Sequence, residues 1–212
     1  VSDPDLGTFR LRSELEFPLD ATFAGVQIQV EGYKPDFRDW SVQARVLKNI
    51  NDPGDRMLDS DWIDDLKFSY TESDPDLTAL EIDVQASKWV AGNGLISFEL
   101  LAGYRYQNIE QDIVGYEGWQ LDQTLQQVPV AGSEPALFYE VTYHMPHVGV
   151  LPAVHPFRGL SIFLKAAYSR VFMWDYDDHL LRNKIAEADG AGNGFIGNVR
   201  LSYQPVPPAA RI

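Results

Sequence analysis

Residues 8–17 decide the class of fold, because apolar and charged side chains alternate strictly along them. The run reads Thr8-Phe9-Arg10-Leu11-Arg12-Ser13-Glu14-Leu15-Glu16-Phe17. Successive residues of a strand point to opposite sides, so the phenylalanines and leucines share one face and the arginines and glutamates the other. This period of two predicts a β-strand with one apolar face and one wet face.

The same period recurs along the chain, and it predicts about eight strands and no amphipathic helix. The other alternating segments are residues 26–31, 40–46, 80–86, 96–107, 137–143, 160–169 and 195–203. Short turns are predicted near residues 20, 34, 92 and 155, the clearest being Ala91-Gly92-Asn93-Gly94. Residues 50–70, 108–135 and 182–194 are predicted to be long loops, with the glycines of 190–194 in a turn.

Composition limits the class of protein. The 212 residues suit one all-β domain spanning 1–212, and they include no cysteine, which excludes a disulfide framework and a thiolate metal site. A net charge of −14 argues against nucleic acid as a partner, because no basic patch is present to neutralise phosphates. The same charge permits cationic partners, including basic peptides.

The alternation leaves two architectures open. Short turns that alternate with long loops, together with aromatic residues near strand ends, are typical of a transmembrane antiparallel β-barrel of the outer membrane. A soluble β-sandwich, such as a lectin or an adhesin, has strands that alternate in the same way. No apolar run has the length of a transmembrane helix.

The first candidate site is Asp59-Ser60-Asp61-Trp62-Ile63-Asp64. In extended backbone, Asp59 and Asp61 point to the same side and lie close together. Two neighbouring carboxylates cannot both ionise freely, so one should have a raised pKa and could hold a proton at neutral pH. A solvated acidic loop is the plain alternative. A calcium site is a weaker one, because the spacing differs from that of the known calcium loop.

The second candidate site is Asp175-Tyr176-Asp177-Asp178-His179. If the strand at 160–169 continues without a bulge, Asp175, Asp177 and His179 point into the lumen on the polar side, with Ser161 and Lys165. A carboxylate pair facing an Asp/His pair could then activate a water molecule. The remaining histidines, His144, His147 and His155, fit no tight zinc spacing, so no metal is predicted.

Four separated segments, taken in order, resemble the omptin family of outer-membrane endopeptidases. They are Ser13–Phe17, Asp59–Asp64, Ala102-Gly103-Tyr104 together with Tyr143–Gly149, and Asp175–His179. The resemblance implies a ten-stranded transmembrane barrel in the bacterial outer membrane, with its site in a groove at the mouth facing outside. About eight strands are visible here, so terminal strands of the family pattern are expected to be missing.

The resemblance also implies a role for each candidate residue. Asp177 would orient and charge-stabilise His179, and His179 would act as base on a water molecule. Asp59 and Asp61 would share protons and help to bind that water or the tetrahedral intermediate. Asp175 falls where the family has an acidic residue in its pocket for the basic side chain before the scissile bond. The implied enzyme is a protease that cleaves at basic residues without a cofactor.

Three positions depart from the family pattern. Thr71 stands where another specificity aspartate is expected, and Asn108 and Thr142 stand where lipopolysaccharide-contacting arginines are expected, although Tyr104 is kept. Lipopolysaccharide is therefore a candidate activator rather than a required one. A non-catalytic barrel acting as a structural or binding subunit is the alternative. Outer-membrane lipid and basic peptides or proteins are the expected partners, and no oligomeric state is predicted.

Overall fold

The computed structural model describes residues 2–3, 7–8, 10–34 and 37–203. Its strands are β1 (Ser2–Asp3), β2 (Gly7–Thr8), β3 (Leu11–Glu16), β4 (Phe23–Lys34), β5 (Phe37–Asn49), β6 (Met57–Ile63), β7 (Leu66–Gly92), β8 (Ile96–Leu121), β9 (Gln127–Phe157), β10 (Leu160–His179) and β11 (Lys184–Tyr203). A single 3₁₀ turn covers Leu180–Arg182. Phe9 and the predicted turn at 35–36 lie outside the described residues. Over the described ranges, no helix is long and apolar enough to cross a membrane.

The main sheet is an antiparallel meander. Its hydrogen-bonded order is β11-β10-β9-β8-β7-β5-β4, while β6 pairs with both β3 and β7. Strands β3 and β6 therefore prolong the β4–β5 hairpin beyond interruptions at 17–22 and 50–56. Counted this way, the described part of the chain contributes seven long antiparallel strands to the sheet. Across the described residues, the edge strands β4 and β11 share no backbone ladder. Their inner side chains do meet, because Arg200 Nη1 donates a hydrogen bond of 3.1 Å to Gln29 Oε1.

The three predicted long loops are wrong. Strand β8 continues to Leu121 and β9 begins at Gln127, so only 122–126 form a turn. The other two regions are likewise mostly strand, with turns at 64–65 and 180–183, and the glycines of 190–194 lie inside β11. Here polar residues also occupy the outer face of the strands, so the regular alternation of the apolar band is lost, although the backbone groups still need partners and find them in the ladder. The predicted turn around Asn93 is confirmed, with Asn93 Oδ1 accepting hydrogen bonds from the amides of Leu95 and Ile96.

The faces of the sheet are apolar outside and polar inside over its central part. On β7, the outward positions are Leu80, Ile82, Val84 and Ala86, and the intervening inward residues, 81 to 87, are all at most 9% exposed. Outward apolar side chains remain open, for example Leu100 at 57% and Val148 at 60% exposed. A water-soluble sandwich would bury such residues against a second sheet, so this arrangement is typical of a transmembrane barrel.

An aromatic cluster bounds the apolar band on one side. Tyr104, Tyr106 and Trp174 surround the ring of His144 on the outer face, and Tyr104 also hydrogen-bonds to His144. Such aromatic belts mark membrane–water interfaces. The strands continue well past the belt toward the turns at 64–65, 122–126 and 180–183, which we call the distal end. The turns at 93–95 and 158–159 form the proximal end.

The lumen inside the apolar band is filled by ion pairs. Arg105 donates two hydrogen bonds, of 2.9 and 2.7 Å, to Asp83 Oδ2, and Arg45 contacts Glu81 at 2.6 Å. These four residues form the luminal ion-pair network. Toward the distal end, an apolar layer takes over the inner face and consists of Met57, Ile113 and Leu137, with Leu15, Phe17 and Ala136 packed against it.

Candidate active site

Strand β6 carries Asp59 and Asp61 on the inner face of the distal end. Met57, two residues earlier, is 3% exposed and belongs to the apolar layer, so alternation sends Asp59 and Asp61 to the same side. Asp59 lies opposite Leu15 of β3 and Thr71 of β7, and Asp61 lies opposite Ser13 and Ser69. The predicted extended backbone is confirmed. Asp61 is only 7% exposed, which rules out the solvated loop.

Strand β10 carries the second set without interruption. Its ladder with β11 runs from Leu160 opposite Tyr203 to His179 opposite Lys184 with no register shift. Asp175, Asp177 and His179 therefore stay on the inner face with Ser161 and Lys165, as the period of two predicts. Because side chains alternate between the two faces of a strand, the unbroken register of β10 fixes the face on which each of these residues lies.

Asp177 and His179 form a close pair. The distance from His179 Nε2 to Asp177 Oδ2 is 3.1 Å, and the two side chains are 16% and 13% exposed for Asp177 and His179 respectively. Burial raises the pKa of the Asp177 carboxyl, the neighbouring His179 opposes that shift, and the charge of Asp175 adds to it. The other oxygen, Asp177 Oδ1, is buried and has no hydrogen-bond partner among the described residues.

Two aromatic residues link the walls that carry the two sets. Tyr139 of β9 lies opposite Asp177 and donates a hydrogen bond of 2.7 Å to Asp175 Oδ2. Its ring stacks on Phe17 with the ring centres 4.6 Å apart and the planes 20° apart. Phe17 follows β3, the strand that pairs with β6 at Asp59. The contact therefore brings both acidic sets to the distal end of one lumen.

The inner face of β11 leaves space beside the second set. Ala186 and Ala188 lie opposite Asp177 and Asp175, and the next inward positions are Gly190, Gly192 and Gly194. A Cβ added at Gly192 would meet nothing within 4 Å. The sequence pattern placed these glycines in a turn and so missed this open surface. Tyr139 and Phe17 were placed on apolar faces, where nothing marked them as part of a site.

Other residues in and beside the first motif make contacts that stabilise the turn and the strands around it. Asp64 begins the 64–65 turn at a φ of 52° and accepts a hydrogen bond of 2.9 Å from the amide of Arg10. Trp62 lies on the outer face, with Arg12 and Lys67 stacked 4.7 and 4.8 Å from its ring. Thr71, in the rung of Asp59, brings no charge to the groove.

The remaining histidines and the departing lipid-contact positions lie elsewhere. His144 is in the outer aromatic cluster, His147 is buried in the lumen, and His155 contacts Ser97 and Ser161 near the proximal end. No group of three metal-ligating side chains occurs within the part of the chain that the structure describes. Asn108 donates hydrogen bonds to Glu140 and Thr142, at 2.8 and 3.2 Å on the outer face.

Comparisons with known proteins agree with this architecture. The model of the omptin family matches residues 13–208. The crystal structure of the outer membrane protease OmpT from Escherichia coli superposes with a TM-score of 0.66, covering 94% of this chain and 78% of that chain at 16% sequence identity. At that identity the likeness concerns the fold alone. No curated protein sequence matches this chain.

Proposed function

The chain belongs to the omptin family of outer-membrane β-barrel proteases, and from that premise we propose that it is an endopeptidase cleaving peptides beside basic residues. The observation that carries the proposal is the Asp177–His179 pair, held at 3.1 Å on the inner face. It lies at the same end of the lumen as Asp59 and Asp61, to which the Phe17–Tyr139 contact connects it.

The geometry of the pair suits general base catalysis. Asp177 contacts Nε2 of His179, so Nε2 carries the proton in that hydrogen bond and the lone pair of Nδ1 is left to accept a proton from water. Asp177 then fixes the ring orientation and stabilises the imidazolium that forms, as the acidic partner does in other Asp–His pairs. No covalent intermediate is required, since the attacking oxygen belongs to the water.

Asp59 and Asp61 are assigned to the opposite side of that water. Asp59 and Asp61 lie two residues apart on one strand face, so both carboxyl groups can be directed at the same water molecule. A protonated member can donate to the oxygen that becomes negative in the tetrahedral intermediate, and its ionised neighbour can accept from the water. The pair thereby supports both the attack and the developing charge.

The acidic groove favours cationic substrates. Asp175 is the proposed partner of the arginine or lysine side chain before the scissile bond, where a carboxylate makes charge-assisted hydrogen bonds with either cation. Thr71 supplies no charge beside Asp59, so the residue after the cut should not be selected by charge. We place the distal end outside the cell, in contact with protein substrates, and keep lipopolysaccharide as a candidate activator.

A cleavage assay tests the proposal. The detergent-folded protein, His179→Ala and Asp59→Ala are compared on a fluorogenic Arg-Arg peptide, with and without lipopolysaccharide. We expect cleavage by the wild type and a loss of about 10²- to 10⁴-fold in His179→Ala, the usual contribution of a positioned base. His155→Ala is the matched control, because His155 lies near the proximal end. Cleavage that survives His179→Ala, or a folded wild type that cleaves nothing, contradicts the proposal.

A further inference from the structure

We infer that Tyr139 is a specificity-determining residue that fixes the orientation of Asp175, and that Phe17 holds Tyr139 in place from the opposite wall. The inference rests on the proposed function, since Asp175 is the carboxylate assigned to the basic side chain. It concerns two residues that the sequence placed on ordinary apolar faces, and it is carried by their contacts.

The first contact is the hydrogen bond from Tyr139 to Asp175. Tyr139 Oη lies 2.7 Å from Asp175 Oδ2, across the β9–β10 ladder. Burial raises the pKa of the Tyr139 phenol well above its ordinary value, and the charge of Asp175 raises it further. The phenol thus keeps its proton wherever a protease of this kind works, and it remains a donor to Asp175.

A carboxylate held by one phenol presents a defined edge to its ligand. An ionised carboxylate has about four lone-pair positions on its two oxygens, and Tyr139 occupies one position on Oδ2. This bond restrains the Asp175 carboxylate through Oδ2 and does not occupy Oδ1. A fixed plane matters most for a charged, directional donor such as a guanidinium, whose hydrogen bonds depend on alignment.

The second contact is the stack of Phe17 on Tyr139. The ring centres are 4.6 Å apart, and Phe17 also packs against the buried apolar layer of Met57, Ile113 and Leu137. Phe17 belongs to the segment just after β3, which pairs with the strand of Asp59. The stack therefore joins the Tyr139 ring to that wall. The stack makes the orientation of Asp175 depend on the wall that carries the carboxylate pair.

The test compares two peptides that differ only in charge. One has arginine before the scissile bond, and the other has citrulline, which is nearly isosteric but neutral. For Tyr139→Phe we expect kcat/KM on the arginine peptide to fall about 10- to 100-fold, mainly through KM, because a hydrogen bond to a charged group is lost. Cleavage of the citrulline peptide should hardly change, since that substrate never uses the charge of Asp175.

Two further variants distinguish a loss of Asp175 orientation from a general disturbance of the fold. Tyr143→Phe is the matched control, because Tyr143 also faces inward on β9 and makes no side-chain hydrogen bond within the described residues. It should leave both peptides unchanged. Phe17→Ala should reduce the arginine preference, and this effect should vanish in the Tyr139→Phe background, because the two residues act through the same bond.

A binding measurement keeps the inference testable apart from catalysis. Fluorescence anisotropy of a labelled Arg-Arg peptide gives its Kd for the His179→Ala protein, with and without Tyr139→Phe. A weaker Kd in the double variant supports the inference even if wild-type cleavage fails. An unchanged Kd, or equal losses on the arginine and citrulline peptides, overturns it. A His179→Ala protein that does not bind the Arg-Arg peptide overturns both the inference and the assignment of Asp175.

Discussion

The lumen contains two groups of inward-facing carboxylates in very different settings. In the luminal ion-pair network, Glu81 and Asp83 are matched by Arg45 and Arg105, at 2.6 Å for the Arg45–Glu81 contact and 2.7 Å for the closest Arg105–Asp83 contact. At the distal end, Asp175 and Asp177 are contacted by a tyrosine and a histidine instead. Both groups lie on the same face of the same sheet.

The difference lies in the supply of fixed positive charge. Two arginines neutralise two carboxylates in the network, and a guanidinium cannot release its proton, so this group has no means of proton transfer. The Asp177–His179 pair includes an imidazole, which can both accept and release a proton, and burial raises the pKa of the Asp177 carboxyl. The comparison teaches that the partner of a buried carboxylate, rather than its burial, separates a structural role from a chemical one.

The largest effect on stability is expected from a substitution that breaks the luminal ion-pair network. Asp83→Ala should lower the free energy of unfolding by about 3–5 kcal/mol, because it removes the two close hydrogen bonds of the largely buried Arg105 and leaves that guanidinium only its 3.8 Å contact with Glu81. Urea unfolding in lipid vesicles measures this effect, and cleavage per folded molecule should stay at the wild-type level. Asp189→Ala, an exposed aspartate on β11, is the control and should change stability by no more than about 0.5 kcal/mol. If Asp83→Ala were as stable as the control, the network would not hold the barrel together.

A smaller effect is expected from crowding the central part of the sheet. A Cβ on Gly149 would overlap the backbone oxygen of Ala166 and lie 2.6 Å from Ala167 Cα. Gly149→Ala should therefore cost about 1–3 kcal/mol, the usual range for overpacking. The same unfolding experiment measures it. A neutral result would mean that β9 and β10 separate more easily than their register indicates.

The pH dependence of stability should also distinguish the distal end from the luminal ion-pair network. The pKa of Asp177 is raised in the folded protein, so its stabilising contribution is complete below the ordinary aspartate value of about 3.9 and is lost as the pH rises through the raised value. Activity should change in the opposite direction, since His179 needs the ionised carboxylate. Unfolding midpoints of the wild type and Asp177→Asn, measured from pH 4 upward in steps, should diverge in favour of the variant. Parallel curves would contradict the assignment.

The sequence predicted the local part of the site well. Asp59 with Asp61, and Asp175 with Asp177 and His179, share a face because the period of two is a property of the extended backbone itself. The prediction for Asp175, Asp177 and His179 also required that β10 contain no bulge, and its ladder with β11 runs without a register shift. The apolar positions on β7 and β8 likewise follow from a strand with lipid on one side and a polar lumen on the other.

The rest depended on features that no local pattern contains. Hydropathy alternates only where the two faces of a strand meet different surroundings, so the wet distal parts of β8 and β9 were mistaken for a loop. The role of Tyr139 depends on a contact across the lumen with Phe17, which the curvature and register of the whole sheet determine. A tyrosine that packs and one that positions a carboxylate look alike in sequence.

The smallest effect on stability is expected at the glycines of β11, which the sequence pattern had assigned to a turn. Gly149 and Gly192 both lie within long strands, yet a Cβ at Gly192 would meet nothing within 4 Å. Because glycine inside a strand costs about 0.5–1 kcal/mol relative to alanine, Gly192→Ala should leave stability unchanged or raise it by up to that amount. The same unfolding measurement, made beside Gly149→Ala, tests the contrast directly. A loss as large as that of Gly149→Ala would mean that the inner face of β11 is covered at Gly192.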